Sequence, residues 1–152
     1  MRVLVQRSLE SSVIVNDKQI GHIEKGLVLL VGFTNTDTLE DVTYLAKKVV
    51  NLRVFDDENG IMNRSVLDVE GSILSISQFT LYADASKGNR PSYINALGSS
   101  LAQPLYDAFN EELRKYQVKV EIGEFGADMK VHIQNDGPVT IILESRDKNV
   151  KK

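Results

Sequence analysis

Two short segments combine hydroxyl, amide and turn-forming residues at the ends of apolar runs. Ser77–Leu81 (SQFTL) ends one such run, and Asn135–Thr140 (NDGPVT) begins another. If the first segment is a continuous strand, Gln78 and Thr80 point to one side of it. The Thr80 hydroxyl could then act as a nucleophile, or the main-chain N–H groups beside it could stabilise an oxyanion. The alternative is a hydrogen-bonded Gln–Thr pair on a solvated sheet surface.

The nucleophile hypothesis for Thr80 requires a general base within hydrogen-bond reach. The chain has two histidines, His22 and His132, and neither is near Ser77–Leu81 in the sequence. His132 falls on the polar side of an alternating segment, Met129–Gln134. We therefore expect both histidines to be ordinary strand residues.

The second segment, Asn135–Thr140, predicts a turn, because Asn, Asp, Gly and Pro follow one another in it. Pro138 would then take the first position of the next strand, where no ladder donor is needed. Base rates favour a trans Gly137–Pro138 bond. A close approach of main chain to a ligand is also possible at Gly137, because glycine has no side chain.

Composition and charge limit the functions that fit this chain. Its 152 residues are 42% hydrophobic and 26% charged, with no cysteine, which excludes disulfides and thiolate chemistry. The net charge of −3 argues against broad nucleic-acid binding but leaves room for a few contacts to a single-stranded RNA end. No metal-ligand spacing or nucleotide-binding motif is present, so we expect no metal and no cofactor.

The apolar patterns predict an α+β fold with mixed and antiparallel sheets, barrel-like and layered, and two main helices packed on one side. Strands are expected at Leu27–Val31, buried on both faces, and at Ser72–Leu81. One helix is expected from Leu39 to Leu52, capped by Asp37 or Thr38. A second is expected around Ser100–Tyr116, with Pro104 in its first turn. Its predicted buried stripe is Leu101, Leu105, Ala108, Phe109 and Leu113.

Residues 1–146 are expected to form one domain, and residues 147–152 a charged tail that frays. The N-terminus lacks the apolar region of a signal peptide, and the longest apolar run is too short to span a bilayer. We therefore expect a cytoplasmic protein.

Together, Ser77–Leu81 and Asn135–Thr140 resemble the two signature motifs of the D-aminoacyl-tRNA deacylases, and the chain length and spacing also suit that family. These enzymes hydrolyse the ester that joins a D-amino acid to the 3′ end of tRNA, a proofreading step. The resemblance implies a cofactor-free homodimer that binds tRNA at the subunit interface. Its catalytic pocket floor would be formed by Ser77, Gln78, Phe79 and Thr80. The terminal 2′-hydroxyl of the tRNA would assist the attacking water.

The resemblance also implies a cis Gly137–Pro138 bond that enters the active site of the neighbouring subunit. Its main chain would reject L-amino acids, and such a filter cannot reject glycine, so glycyl-tRNA, for example glycine mischarged on tRNA(Ala), would also be cleaved. Supporting roles fall to Arg7, which would brace this segment, and to Asn135, Val139 and Thr140.

Weaker tRNA contacts are expected from the loop cations Lys87 and Arg90 and from a possible adenine pocket beside Phe125 and Met129. The alternatives are solvated loop cations and ordinary core packing. Two other functions stay open: the same fold with relaxed or different aminoacyl selectivity, or a noncatalytic tRNA-binding dimer.

Overall fold

The computed structural model describes residues 1–149. They contain two α-helices, ten strands and two short 3-10 helices, joined by turns and loops. The helices are α1 (Leu39–Asn51) and α2 (Ser99–Arg114). The strands are β1 (Arg2–Ser8), β2 (Ser11–Val15), β3 (Lys18–Ile23), β4 (Gly26–Gly32), β5 (Phe55–Asp56), β6 (Met62–Arg64), β7 (Ser72–Ser77), β8 (Lys119–Ile122), β9 (Lys130–His132) and β10 (Asn135–Glu144). The 3-10 helices are Phe79–Tyr82 and Ser145–Asn149.

A mixed five-stranded sheet lies at the centre of the molecule, in the order β10-β1-β4-β7-β8. Strand β4 is its middle strand because its apolar residues can be buried on both faces, as the sequence predicts. It pairs with β1 in antiparallel and with β7 in parallel register. Strands β3, β2 and β9 form a second, antiparallel sheet.

The two faces of the central sheet bury different partners. One face carries Val5, Leu29 and Ile73, which belong to a core shared with both helices. The opposite face carries Val28 and Leu74, which pack with the three-stranded sheet. The α+β class, with layered mixed sheets and both helices on one side, is confirmed. Within residues 1–149 the sheets do not close into a barrel.

Helix α1 matches its prediction, whereas α2 differs in two details. α2 begins at Ser99, so Pro104 is its sixth residue and lies beyond the first turn. Leu101 was expected in the buried stripe but is 64% exposed, because the helix turns Ala102 and Tyr106 towards the core instead.

The predicted strand Ser72–Leu81 ends at Ser77 and continues as the 3-10 helix Phe79–Tyr82. The neighbouring strand β4 ends at Gly32, so the ladder has no partner beyond this level. The expected strand alternation of Gln78 and Thr80 is therefore wrong.

The last described residues pack against α1. Asp147, Lys148 and Asn149 belong to the 3-10 helix Ser145–Asn149, whereas the sequence predicted a frayed tail from residue 147. Lys148 Nζ donates to Asp41 Oδ1 at 3.0 Å, which ties this segment to the first turn of α1. Residues 150–152 of the expected tail lie outside the described residues. Within residues 1–149, neither α-helix has the length and apolar character required to cross a membrane.

Asp41 makes the attachment of this C-terminal segment sensitive to acid. Burial raises the pKa of its carboxyl group, but the Thr38 N–H at 2.8 Å and the Lys148 ammonium outweigh burial and lower the pKa from 3.8 to about 2. The folded state is thus stabilised by the carboxylate above about pH 4, and this stabilisation is lost as the pH falls towards 2. We expect Asp41→Asn to lower the free energy of unfolding by about 1 kcal/mol at pH 7 and by much less near pH 2.5.

Urea unfolding of both proteins across this pH range measures the difference. Glu40→Gln is the matched control, because Glu40 is exposed and lies 3.9 Å from Lys148. A difference between Asp41→Asn and the parent that does not change with pH would contradict the assignment.

Candidate active site

A cleft of about 670 Å³ opens where β4 and β7 end. Its floor is the 77–79 segment, and the start of α2 and the 125–131 segment form its walls. Of the predicted site residues, the cleft brings together Ser77, Gln78, Phe79, Phe125 and Met129.

The floor of the cleft presents main-chain donors. The Gln78 N–H donates to the Val31 carbonyl at 2.8 Å, which is the last bond to β4. The first bond within the 3-10 helix runs from the Leu81 N–H to the Gln78 carbonyl at 3.3 Å. The N–H groups of Phe79 and Thr80 precede that bond, so the helix supplies no carbonyl for them. Two adjacent N–H groups therefore have no partner within the helix; Phe79 lines the cleft, and Thr80 follows it outside the lining.

Within residues 1–149, no base is hydrogen-bonded to the Thr80 hydroxyl. It accepts a hydrogen bond from Gln78 Nε2, so the two side chains meet even though the strand has ended. His22 Nε2 lies 3.1 Å from Glu10 Oε1, and His132 pairs with Ser12 on the second sheet. Among residues 1–149, no histidine lines the cleft. Both histidines are strand residues, as predicted.

Helix α2 supports the floor from behind through Tyr106. Its hydroxyl donates to the Ser75 carbonyl at 2.8 Å, two residues before the floor begins. Burial raises the pKa of Tyr106, which keeps the phenol protonated and able to donate. The Tyr106 and Phe125 ring centres are 5.9 Å apart, so one side chain supports both floor and wall.

Aromatic and thioether side chains form the apolar walls of the cleft. The rings of Phe79 and Tyr93 meet edge to face with centres 5.0 Å apart, and both are partly exposed. Phe125 packs against the main core and Met129 against the core below the second sheet. Both side chains therefore pack against a core and also line the cleft, as the wall of a base-stacking pocket does.

The Asn135–Thr140 segment is a bulge in β10, where the sequence predicted a turn between strands. Gln6 pairs with Thr140 and Ser8 with Asn135, so four residues of β10 lie opposite Arg7 alone. The excess length leaves the ladder and exposes Gly137 and Pro138. Gly137 has φ +124°, and the Gly137–Pro138 bond is cis, as the resemblance implies.

Side chains at both ends hold the bulge closed. Asn135 Nδ2 donates to Thr140 Oγ1 at 3.0 Å, and Asn135 Oδ1 accepts the Val139 N–H at 3.2 Å. Arg7 Nε donates to the Asp136 carbonyl at 3.2 Å. Its Nη1 donates to the Val54 carbonyl at 2.8 Å, which anchors the guanidinium on the helix side.

The two segments lie at opposite ends of the central sheet. Asn135 pairs with Ser8, which in turn pairs with Gly26 at the start of β4. Ser77 pairs with Val31, near the other end of β4. Five residues of strand separate these levels, about 17 Å. β10 is also three positions away from β7 in the sheet. Gly137 and Pro138 accordingly do not line the cleft.

Lys87 and Arg90 lie in an exposed loop outside the cleft lining. Two backbone hydrogen bonds of 2.8 Å between Asp84 and Ser92 close this loop at its base. Within residues 1–149, neither cation pairs with a carboxylate. Their positive charge therefore faces solvent.

Sequence reasoning missed the part of the cleft contributed by Tyr93 and by Gly98, Ser99 and Ala102 at the start of α2. The available signal was Gly98 directly before two serines, which is typical of a helix start. Over the described residues, no cluster of three or more His, Asp or Glu side chains is placed to hold a metal.

Comparison with known proteins identifies the family. The model of the D-Tyr-tRNA(Tyr) deacylase family matches residues 4–144. Relatives named D-aminoacyl-tRNA deacylase from Bacillus thuringiensis (strain Al Hakam) and Bacillus cytotoxicus are 58% and 57% identical over 146 residues, covering 96% of this chain and all of each relative.

Two solved structures share the fold. One, described as c-Myc DNA unwinding element binding protein, is 43% identical with a TM-score of 0.89 over 95% of this chain and 98% of its own. The other, described as a probable eukaryotic D-amino acid tRNA deacylase, is 18% identical with a TM-score of 0.81 over 94% and 98%, a likeness of fold alone. With both signature segments present and the family model matching residues 4–144, this chain belongs to the D-Tyr-tRNA(Tyr) deacylase family.

Proposed function

We propose that this protein hydrolyses the ester bond of D-aminoacyl-tRNA in the cytoplasm, releasing free amino acid and tRNA as a chiral proofreading step. The observation that carries the proposal is the Phe79 N–H group, which precedes the first hydrogen bond of the 3-10 helix on the floor of a cleft with an apolar wall and has the Thr80 N–H group next to it. This arrangement suits stabilisation of the tetrahedral intermediate of an ester that is already activated.

In the proposed reaction, water attacks the ester carbonyl while the tRNA terminal 2′-hydroxyl accepts or relays its proton. The carbonyl oxygen becomes an oxyanion and accepts hydrogen bonds from the Phe79 and Thr80 N–H groups. The bond from the carbonyl carbon to the ribose 3′-oxygen then breaks, and that oxygen takes the proton that the 2′-hydroxyl relays from the attacking water. Gln78 and Thr80 side chains hold each other and shape the floor, and Ser77 ends the strand that leads to it.

The apolar wall is proposed to receive the terminal adenine of the tRNA. Phe125 offers a ring face and Met129 a polarisable thioether, both suited to a base that is out of its stack. Lys87 and Arg90 are proposed to contact phosphates, because their charges are not neutralised by carboxylates of residues 1–149.

A second copy of the chain is proposed to complete each site. In one chain the Gly137–Pro138 bulge is remote from the cleft, so only a homodimer brings both segments to one substrate. The outer face of β10 supports this, because Ile142 is 58% exposed opposite Leu4. Leu4 is partly exposed, so the two side chains form a small apolar patch on this face of the sheet, as at the edge of an interface.

The chirality filter is proposed to be the main chain of Gly137 and Pro138, held by Arg7, Asn135, Val139 and Thr140. A main-chain wall excludes a substituent on the wrong side of the substrate Cα and takes no account of what the side chain is. Glycine has no such substituent, so it passes.

The first test is hydrolysis of three substrates by the purified protein. We expect rapid ester loss from D-tyrosyl-tRNA, measurable loss from glycyl-tRNA(Ala), and at least about 100-fold slower loss from L-tyrosyl-tRNA. Release of labelled amino acid is followed with a no-enzyme control for spontaneous hydrolysis.

Equal rates for D- and L-tyrosyl-tRNA would indicate relaxed selectivity. Binding without cleavage would indicate a noncatalytic tRNA-binding dimer. Resistance of glycyl-tRNA would contradict the steric filter.

The second test separates the hydroxyl nucleophile from RNA-assisted attack. We expect Thr80→Ala to keep kcat within about tenfold of the parent, because the N–H donors remain. D-tyrosyl-tRNA with a 2′-deoxy terminal adenosine should react at least about 100-fold more slowly. Complete loss of activity in a folded, tRNA-binding Thr80→Ala protein would instead establish the nucleophile.

The third test asks whether each site uses two chains. In Gly137→Ala the new Cβ would lie 2.9 Å from Val139 Cγ2 and 3.0 Å from Arg7 Nη2, which displaces the bulge. Phe79→Pro removes one floor N–H. Each variant alone should be inactive. After unfolding and refolding together, half of the dimers are mixed and one of their two sites is intact, so about a quarter of the activity should return.

The control for this mixing experiment is the double variant refolded with either single variant. Neither mixture can form an intact shared site, because the double variant supplies neither of the two segments. If the two single variants do not complement each other, the two segments do not form a site shared between subunits, and the proposed dimeric site is wrong.

A further inference from the structure

Arg2, the first residue of β1, contacts the 3-10 helix that carries the floor donors. Its Nη1 donates to the Leu81 carbonyl at 2.6 Å. Its guanidinium carbon lies 4.7 Å from the centre of the Tyr82 ring. Its Nε donates to Glu144 Oε1 at 2.9 Å. One planar side chain thus joins the end of the 3-10 helix to the end of β10.

Gly32 makes this contact possible. It is the cross-strand neighbour of Arg2, and the 3-10 helix lies directly over it. A Cβ at Gly32 would lie 3.0 Å from the Gln78 carbonyl oxygen and 3.2 Å from Leu81 Cβ. The helix therefore sits close against β4, and Arg2 reaches its far end from the adjacent strand.

The floor helix is only four residues long. The Leu81 N–H donates to the Gln78 carbonyl at 3.3 Å, and the Ala83 N–H donates to the Thr80 carbonyl at 3.0 Å. Short 3-10 helices have poorer hydrogen-bond geometry than α-helices. A charge-assisted hydrogen bond from outside is stronger than such bonds, and the arginine fork can make it while also holding a carboxylate.

We propose that Arg2, oriented by Glu144, is a positioning residue that holds the Phe79–Tyr82 helix in place at the edge of the cleft, and with it the proposed donors, the Phe79 and Thr80 N–H groups. The proposal rests on the proposed oxyanion role of those donors. It adds a residue outside both signature segments to the machinery, on the opposite side of the floor from the substrate.

The test compares Arg2→Gln with Arg146→Gln. Arg146 also pairs with Glu144 but is largely exposed and, within residues 1–149, makes no hydrogen bond to the floor helix, so it is the matched control. For Arg2→Gln we expect kcat on D-tyrosyl-tRNA to fall about tenfold with KM within about twofold, because ground-state binding uses the cleft walls. Amide hydrogen exchange in residues 78–83 should rise about tenfold. Arg146→Gln should change neither.

Two outcomes would overturn the proposal: unchanged exchange in residues 78–83 of Arg2→Gln, or an equal fall in kcat for Arg146→Gln. If Arg2→Gln does not fold, Tyr82→Leu removes the ring beneath the guanidinium and should raise the same exchange. The exchange measurement needs no substrate, so it decides on the Arg2 contact even if the parent protein fails to cleave D-tyrosyl-tRNA. That failure would count against the proposed function alone.

Discussion

The pairing of β1 between β4 and β10 is the constraint on which both signature segments depend. This strand carries an arginine near each end, and each guanidinium bonds a main-chain carbonyl of a segment that has left the sheet: Leu81 for Arg2 and Asp136 for Arg7. Irregular backbone needs such outside partners, since the sheet ladder no longer supplies them. A register shift of β1 by one residue would move both arginines to the wrong faces.

The layered core explains why the irregular segments can be so well defined. Strand β4 is buried on both faces by helices and by the second sheet, so the strand ends on either side of it have fixed positions. The 3-10 helix begins where β4 ends, and the bulge occurs where β10 is an edge strand with room to leave the ladder. Edge positions tolerate bulges because only one neighbour loses its bonds.

Much of the fold could be predicted from local pattern. The apolar run Leu27–Val31 predicts a buried strand, and the spacing of apolar residues in α1 predicts an amphipathic helix. The end of β7 could not be predicted, because it is set by the end of its partner β4 and not by the residues Gln78–Leu81. The bulge opposite Arg7 depends likewise on the register of β1 with β10. In α2, Leu101 is apolar and helical but exposed, since the start of the helix determines which side faces the core.

The free N–H groups of Phe79 and Thr80 have a consequence for how this site tolerates mutation. Every amino acid except proline supplies the same N–H, so the side chains at these two positions can vary without removing the donors. Alanine scanning would pass over them and would instead register the glycines, the arginines and the strand ends that determine the path of the backbone. Evolution can therefore change the side chains at these two positions widely while the two N–H groups stay the same.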